Sequence, residues 1–360
     1  MTKKKHVAIV GTVGLPAKYG GFETLTQNLV QQLNDKFDFT VYCSSKVYSE
    51  QHSEWNGAKL KYVPLHANGI QSIPYDICSI MSAARQADVI LILGVSGALV
   101  LPFLGSSVRR KMVINIDGLE WRRVKWNAII RSFLKYSEKI AVKYGSIIIA
   151  DNEEIRRYVE TSYGKRSALI EYGADHIFEA GRTGGASSEP PYAFTVCRIE
   201  PENNIHLILE AFAESGRRLK IVGNWEKSPY GRKLFESYSH HKEIELISPI
   251  YDQRKLDMLR TNCSLYVHGH SAGGTNPSLV EAMYIGLPIV AFDVSYNRAT
   301  TENKAYFFKD KAELVEILKT TNDLALNEVA LKLKEIAQKR YTWRRIAEKY
   351  AEVFNGYIAD

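Results

Sequence analysis

The sequence predicts an α/β protein of two domains, each a parallel sheet wound with helices, and three observations carry that prediction. Short apolar, β-rich runs alternate with helical patterns along the chain, which calls for parallel strands joined by crossover helices. Its 360 residues exceed one ordinary domain and suit two, each able to bury its own core. Between the two sets of runs lies HIFEAGRTGGASSEPP, rich in Gly, Ser and Pro and without apolar period, which places a linker at 176–190. The expected domains are therefore 1–175 and 191–340.

Taken in order, HVAIVG is a first strand and not a signal peptide, because its apolar run is short and broken by Gly11 and Gly14. Phe22, Leu25, Leu29 and Leu33 share one face of the helix that follows. FTVYCS, LKYVPL, DVILILG, KMVINID, SIIIADN and SALIEYG are the next strands. Val89 to Val108 is uncharged and long enough to span a bilayer, but Gly94, Ser96, Gly97, Pro102 and Gly105 punctuate it, and ADVILILG reads as a buried parallel strand. In the second domain YAFTVCR, LKIVG, IELIS, LYVHG and LPIVAFD are strands. The tail 341–360 is a helix with Trp343, Ile346, Tyr350, Val353 and Phe354 on one stripe, placed to close the second domain or to cross back to the first. Open α/β sheets bind ligands beyond the carboxyl ends of their strands, so two such domains facing each other imply a cleft fed by loops from both.

Composition narrows the class. With 45% hydrophobic and 24% charged residues and a mean hydropathy of −0.22, disorder, collagen-like repeats and a polytopic membrane protein are excluded. Cys43, Cys78, Cys197 and Cys263 are dispersed, with no CxxC and no Cys/His cluster at metal spacing, and read as buried thiols in a reducing cytoplasm. The net charge of +7 belongs to the first half: residues 1–175 carry 23 basic against 16 acidic side chains, and residues 176–360 carry 24 against 24. Arg109 to Lys143 alone nets +7.

Two stretches carry candidate chemistry. In GTVGLPAKYGGFET, Gly20 and Gly21 open a helix whose free amides can hold a phosphate or a developing anion; a plain tight turn is the competing reading. The spacing is not GxGxxG, so a dinucleotide fingerprint is not met. In HGHSAGGTNPSLVEAMYIGLPIVAFD a strand ends in a Gly-rich loop, and Asn276 caps a helix with Pro277 at its first position. The amides of Ser278 and Leu279 then suit a phosphate, although an Asn276 side chain bonded to one would leave only the other. Glu281, one turn in, either accepts ribose hydroxyls or merely satisfies the helix dipole. His268 and His270 share a strand face at a spacing a metal uses; without an evident third ligand they read as satisfied polar residues lining a cleft.

VGTVGLPAKYGGFET, NIDGLEW, ADNEEIRRYV, YGAD, CRIEPENNIHLILEAF and HSAGGTNPSLVEAMYIGLPIVAFD, in this order and over nearly the whole chain, resemble the family 4 retaining glycosyltransferases of GT-B fold. More narrowly, they resemble bacterial rhamnosyltransferases that extend a lipid-linked sugar in capsule, cell-wall and O-antigen polysaccharide synthesis. The resemblance implies two Rossmann-like domains, a nucleotide-sugar donor such as dTDP-L-rhamnose held mainly by the second, and an acceptor held by the first, with no metal and no other cofactor. It implies that Gly20 and Gly21 lie near the donor phosphates, that Arg198 binds the pyrophosphate and that Glu281, the second glutamate of an EX7E motif, holds the ribose. The first glutamate of that motif is replaced by Gly273, which leaves sugar recognition to Gly274, Thr275 and Asn276. The lysine usual after the arginine is replaced by Asn203. The histidine usual after the fifth strand is replaced by Asp117, a candidate for orienting the sugar or accepting the hydroxyl proton, or else a structural aspartate; Glu120 stands next in line. Donor sugars on UDP or GDP, and a GT-B nucleotide-sugar epimerase, are the alternatives, as is a non-enzymatic saccharide- or nucleotide-binding regulator.

The basic segment offers a second surface. In WNAIIRSFLKYSEKIAVKYG, Trp126, Ile129, Ile130, Phe133, Ser137, Ile140, Ala141 and Tyr144 fit a helical inner face, while Arg131, Lys135, Lys139 and Lys143 step along another. With Arg122, Arg123 and Lys125 they suit anionic headgroups or a diphosphate lipid, against the alternative of a solvated face. No RNA-binding motif accompanies the charge, so nucleic acid is not the expected partner. The expected location is cytoplasmic, on the inner face of a bacterial plasma membrane.

Overall fold

The computed structural model describes residues 3–18, 20–123, 126–177 and 190–357. Lys125 and residues 178–189, most of the expected linker, lie outside the described residues. The chain forms two compact units: Met1–Arg122 with Trp126–Tyr172 and Trp343–Asp360, and Arg123–Lys125 with Gly173–Thr342.

In the first unit the chain runs β1 (Lys5–Val10), α1 (Gly21–Leu33), β2 (Phe37–Ser44), β3 (Glu54–Trp55), β4 (Ala58–Val63), α2 (Ser72–Ala84), β5 (Val89–Leu93), α3 (Ser106–Arg109), β6 (Met112–Asn115), α4 (Ala128–Tyr144), β7 (Ile147–Ala150), α5 (Glu153–Tyr163) and β8 (Ala168–Leu169). The sheet order is β3-β4-β2-β1-β5-β6-β7-β8, parallel except at the β3–β4 hairpin. There Asn56 and Gly57 both take positive φ, the two-residue turn whose twist matches the strands. All of β5 is buried, and Val89 to Val108 divides into this strand, a short turn of helix at Ala98–Phe103 and α3. No described helix is long and apolar enough to cross a membrane.

The second unit runs β9 (Ala193–Val196), α6 (Ile205–Ser215), β10 (Leu219–Val222), α7 (Pro229–Tyr238), β11 (Ile244–Ile247), α8 (Gln253–Thr261), β12 (Leu265–His268), α9 (Pro277–Ile285), β13 (Ile289–Phe292), α10 (Ser295–Thr300), β14 (Tyr306–Phe308), α11 (Lys311–Thr320) and α12 (Asp323–Arg340). Its sheet, in the order β11-β10-β9-β12-β13-β14, is parallel throughout. Ile205, Ile208, Leu209 and Phe212 of α6 seal one face with Ile221, Val267 and Val290, each burial contributing about 1.5–3 kcal/mol.

The last helix, α13 (Trp343–Phe354), belongs to the first unit. Trp343 meets Tyr172 edge to face at 4.8 Å, Phe354 meets Phe37 at 5.4 Å, and Lys349 bonds the buried Glu171 at 2.7 Å. Its apolar stripe, Trp343, Ile346, Tyr350, Val353 and Phe354, is buried.

Candidate functional site

The loops after β9 and β12 bring the expected donor residues of the second unit together. Arg198 follows β9 and is exposed. Asn203 is buried, and both ends of its amide are bonded: its Nδ2 donates to the Arg198 carbonyl at 2.6 Å, and its Oδ1 pairs with Nδ1 of His270. Asn203, expected to line the donor site in the place of the family's lysine, thus bridges the two loops as an uncharged amide. Gly269 must be glycine, since a Cβ there would lie 2.1 Å from the Asn203 carbonyl oxygen.

Gly273 has φ +120, and a Cβ would meet Nε2 of His270 at 3.1 Å. A glutamate in this backbone conformation, as at the first position of the family motif, would be strained. Gly274 is half-buried and Thr275 buried beside it. His268 is buried, its Nε2 has no hydrogen-bond partner among the described residues, and burial pushes its imidazole down to about 3. Burial and the nearby His268, Arg123 and Arg198 likewise hold His270 neutral. The expectation that both histidines are satisfied therefore fails at His268. Among the described residues no group of three His, Cys, Asp or Glu side chains is placed to hold a metal ion.

At α9 the Asn276 side chain accepts from the Ser278 amide at 3.0 Å and from its hydroxyl at 2.8 Å, while the Leu279 amide turns to the Asn276 carbonyl at 3.1 Å. Both amides expected to face a phosphate are spent within the helix start. Glu281 is different. Its Oε2 lies 2.8 Å from Nη2 of the buried Arg260, and its Oε1 lies 3.4 Å from Nε2 of His176. Burial alone would raise this carboxyl, but Arg260 and His176 outweigh burial and hold it below its ordinary value. Glu281 therefore does more than satisfy a helix dipole.

In the first unit Gly20 has φ +133 and caps α1 without a side chain. A Cβ at Gly20 would fall 1.9 Å from the Glu23 carboxylate, which itself accepts from the Val13 amide at 2.7 Å and the Thr12 hydroxyl at 3.1 Å. The Gly21 carbonyl accepts from the Tyr172 hydroxyl at 3.0 Å. These glycines shape a loop already closed by an internal carboxylate, whose charge works against a second anion placed beside it. Asp117 follows β6, half-buried and at φ +59, a conformation that for a non-glycine residue costs about 1–3 kcal/mol and clusters at functional sites. Its amide donates to Oδ1 of the buried Asn115, whose Nδ2 in turn donates to the Tyr350 hydroxyl of α13 at 3.1 Å. Glu120 accepts from Trp126 at 3.2 Å.

The basic strip of α4 is exposed at Arg131, Lys135, Lys139 and Lys143. Lys135 is nonetheless occupied: it lies 3.7 Å over the Trp121 ring and donates to the Tyr158 hydroxyl at 3.0 Å. Arg122 covers the same two rings. Buried Glu138 ties this cluster together, accepting from Trp121, Tyr158 and Tyr163. Two expectations need correcting. Ile129, assigned to the inner face, is 81% exposed, and Arg123, assigned to the membrane-facing strip, is largely buried with its guanidinium 4.0 Å from Glu200.

Glu23, Arg260, His176 and Glu138 were not singled out by sequence reasoning. Glu23 had a local signal, an acid at the third helical position after a glycine cap; the other three are joined to their partners only by the fold.

The comparisons with known proteins agree with this architecture. Residues 179–340 match the glycosyl transferases group 1, and residues 4–175 match a domain of unknown function, DUF1972. Among solved structures, a sucrose-phosphate synthase from Thermosynechococcus elongatus is similar at TM-score 0.79 and 14% identity, covering 98% of this chain and 99% of that one. HepE of Anabaena, solved in complex with UDP, matches at TM-score 0.69 and 16% identity over 98% of this chain and 100% of its own. The N-terminal domain of a Candida albicans trehalose-6-phosphate phosphatase matches at 0.71 and 10% identity over 99% and 98%. A comparison with curated protein sequences gives no match. Two parallel-sheet units of this kind define the GT-B fold. The chain thus has the GT-B fold, with a glycosyl transferases group 1 domain matched over its second unit.

Proposed function

We propose that the protein transfers L-rhamnose, with retention, from dTDP-L-rhamnose to a hexose of a polyprenyl-diphosphate-linked intermediate in bacterial surface-polysaccharide synthesis. The observation that carries the donor reading is Glu281: a carboxylate one turn into α9, kept ionised by Arg260 and His176, is suited to accept a nucleoside sugar hydroxyl. Arg198, exposed beside the Asn203–His270 clamp, is the cation for the diphosphate. The UDP complex of HepE supports a nucleoside diphosphate as leaving group; the choice of rhamnose rests on the sequence resemblance.

In the proposed reaction the bond from the sugar anomeric carbon to the diphosphate oxygen breaks, and a new bond forms to the acceptor oxygen on the same face. The acceptor proton passes to the leaving diphosphate. The protein supplies positioning and charge stabilisation. Arg198 neutralises the leaving group, Thr275 and Asn276 contact the sugar, and Asp117, held by Asn115, orients the acceptor or the sugar.

The membrane assignment draws on the exposed Arg131, Lys139 and Lys143 of α4 together with Ile129 and Tyr136, which are 81% and 59% exposed on the same helix. Such a surface suits peripheral attachment to the anionic inner leaflet, where a lipid-linked acceptor resides. A thermal-shift screen across dTDP-, UDP- and GDP-sugars tests the donor, since a ligand bound to the native state raises its apparent stability. The largest shift is expected from dTDP-L-rhamnose; a shift confined to UDP or GDP compounds would contradict the assignment.

A further inference from the structure

Arg260 is 2% exposed and Asp257 fully buried, yet both are charged residue types on α8, the short helix between β11 and β12. Arg260 Nη1 lies 3.0 Å from Asp257 Oδ1, which also accepts from Gln253 at 2.8 Å, and Arg260 Nη2 lies 2.8 Å from Glu281 Oε2. Burying such a set is weakly stabilising at best, and well-packed apolar side chains in its place are often neutral or better. Its arrangement is directional: Gln253 donates to Asp257, Asp257 holds Arg260, Arg260 holds Glu281, and of these last two Glu281 keeps the more exposed edge, its side chain being 12% accessible against 2%.

We propose that Arg260, braced by Asp257, is a positioning residue of the nucleotide site, fixing the Glu281 carboxylate for the sugar ring of a nucleoside diphosphate. The proposal rests on the reading of Glu281 as the ribose acceptor. An unbraced carboxylate at this place would be free to rotate away and, being buried, would take up a proton more readily. The groups facing Glu281 are Arg260 and Asp257 from α8, Tyr266 from β12 and His176 before the second sheet; on α12, Lys334 lies against Gly286 at the far end of α9. Of these, Arg260 is the principal charge holding the carboxylate ionised.

Calorimetric titration of dTDP and UDP into the full-length protein between pH 5 and 8 tests this, with circular dichroism and thermal melts verifying the fold. Glu281→Gln and Arg260→Met are each expected to weaken binding by about tenfold or more. The double variant is expected to bind no more weakly than Glu281→Gln alone, because Arg260 acts through Glu281. Arg260→Met is also expected to lose affinity as pH falls, through protonation of a carboxyl that burial now raises, and Arg260→Lys to recover part of the loss. Should Arg260→Met fail to fold, Asp257→Asn carries the same comparison. Additive losses in the double variant, or a pH profile unchanged from wild type, would overturn the proposal while leaving the ribose reading intact. Unchanged affinity in Glu281→Gln would overturn that reading and the proposal with it.

Discussion

At Arg198 the proposed chemistry depends on a single cation, because the position usually filled by a lysine is the uncharged Asn203, which bridges two loops. Arg198→Ala is therefore expected to lower turnover by roughly 100-fold or more with an unchanged melting temperature; a rate within a factor of a few of wild type would discard its role. Gly273→Glu, which restores the family's missing carboxylate in sequence, is expected to reduce both stability and activity, because the backbone there has φ +120 and His270 stands in the way. A variant as stable and active as wild type would show that the loop rearranges freely. His268 gives a pH signature. Buried and neutral down to about pH 3, it takes up a proton near 6.5 once unfolded, so the unfolded chain binds more protons between these values and stability falls as pH drops through that window. Replacing it with Phe should flatten the slope of unfolding free energy between pH 4 and 6.5, by at most about 1.4 kcal/mol per pH unit; an unchanged slope would place that dependence elsewhere. Glu281 and Asn276 were legible in the sequence because a helix start has a local signature, whereas the contacts of Arg260 and His176 join residues at least 20 positions from Glu281, beyond any periodic pattern.

Among the elements, the strands were the most legible. Each apolar run marked as a strand holds one, because strands of a parallel sheet buried on both faces are nearly continuous in apolar residues. Two short strands, β3 and β14, were not among the marked runs. Helix α4 shows why charge patterning misleads: the i, i+4 lysines lie on an exposed face as spaced, yet Lys135 sits on Trp121, and Ile129 at the exposed end points to solvent. Helix α13 reaches the candidate acceptor loop through one hydroxyl, from Tyr350 to Asn115 to the Asp117 amide. Tyr350→Phe is expected to cost about 1 kcal/mol in chemical denaturation. On the proposed reaction it should also raise the apparent KM for acceptor more than for donor; equal effects on both would mean the contact is structural only.

For the whole molecule, the +7 charge is the feature that composition alone left unassigned. It belongs to the first unit's half of the sequence, and the part of it on α4, Arg131, Lys135, Lys139 and Lys143, is exposed on a helix that also exposes Ile129 and Tyr136. Replacing Arg131, Lys139 and Lys143 together with Gln is expected to reduce pelleting with anionic vesicles severalfold at low salt, with little change on a water-soluble acceptor analogue; unchanged pelleting would make the strip a solvated face. The two-domain GT-B architecture was legible because each half repeats one strand-and-helix grammar, while a donor sugar's identity is a matter of individual side chains that no spacing rule reads. The central claim is thus most directly tested by measuring dTDP release from dTDP-L-rhamnose with and without a polyprenyl-diphosphate-linked hexose. Release that depends on the acceptor and yields a rhamnosylated lipid is expected; nucleotide-sugar turnover at the same rate without acceptor, or none with it, would contradict the proposed transfer.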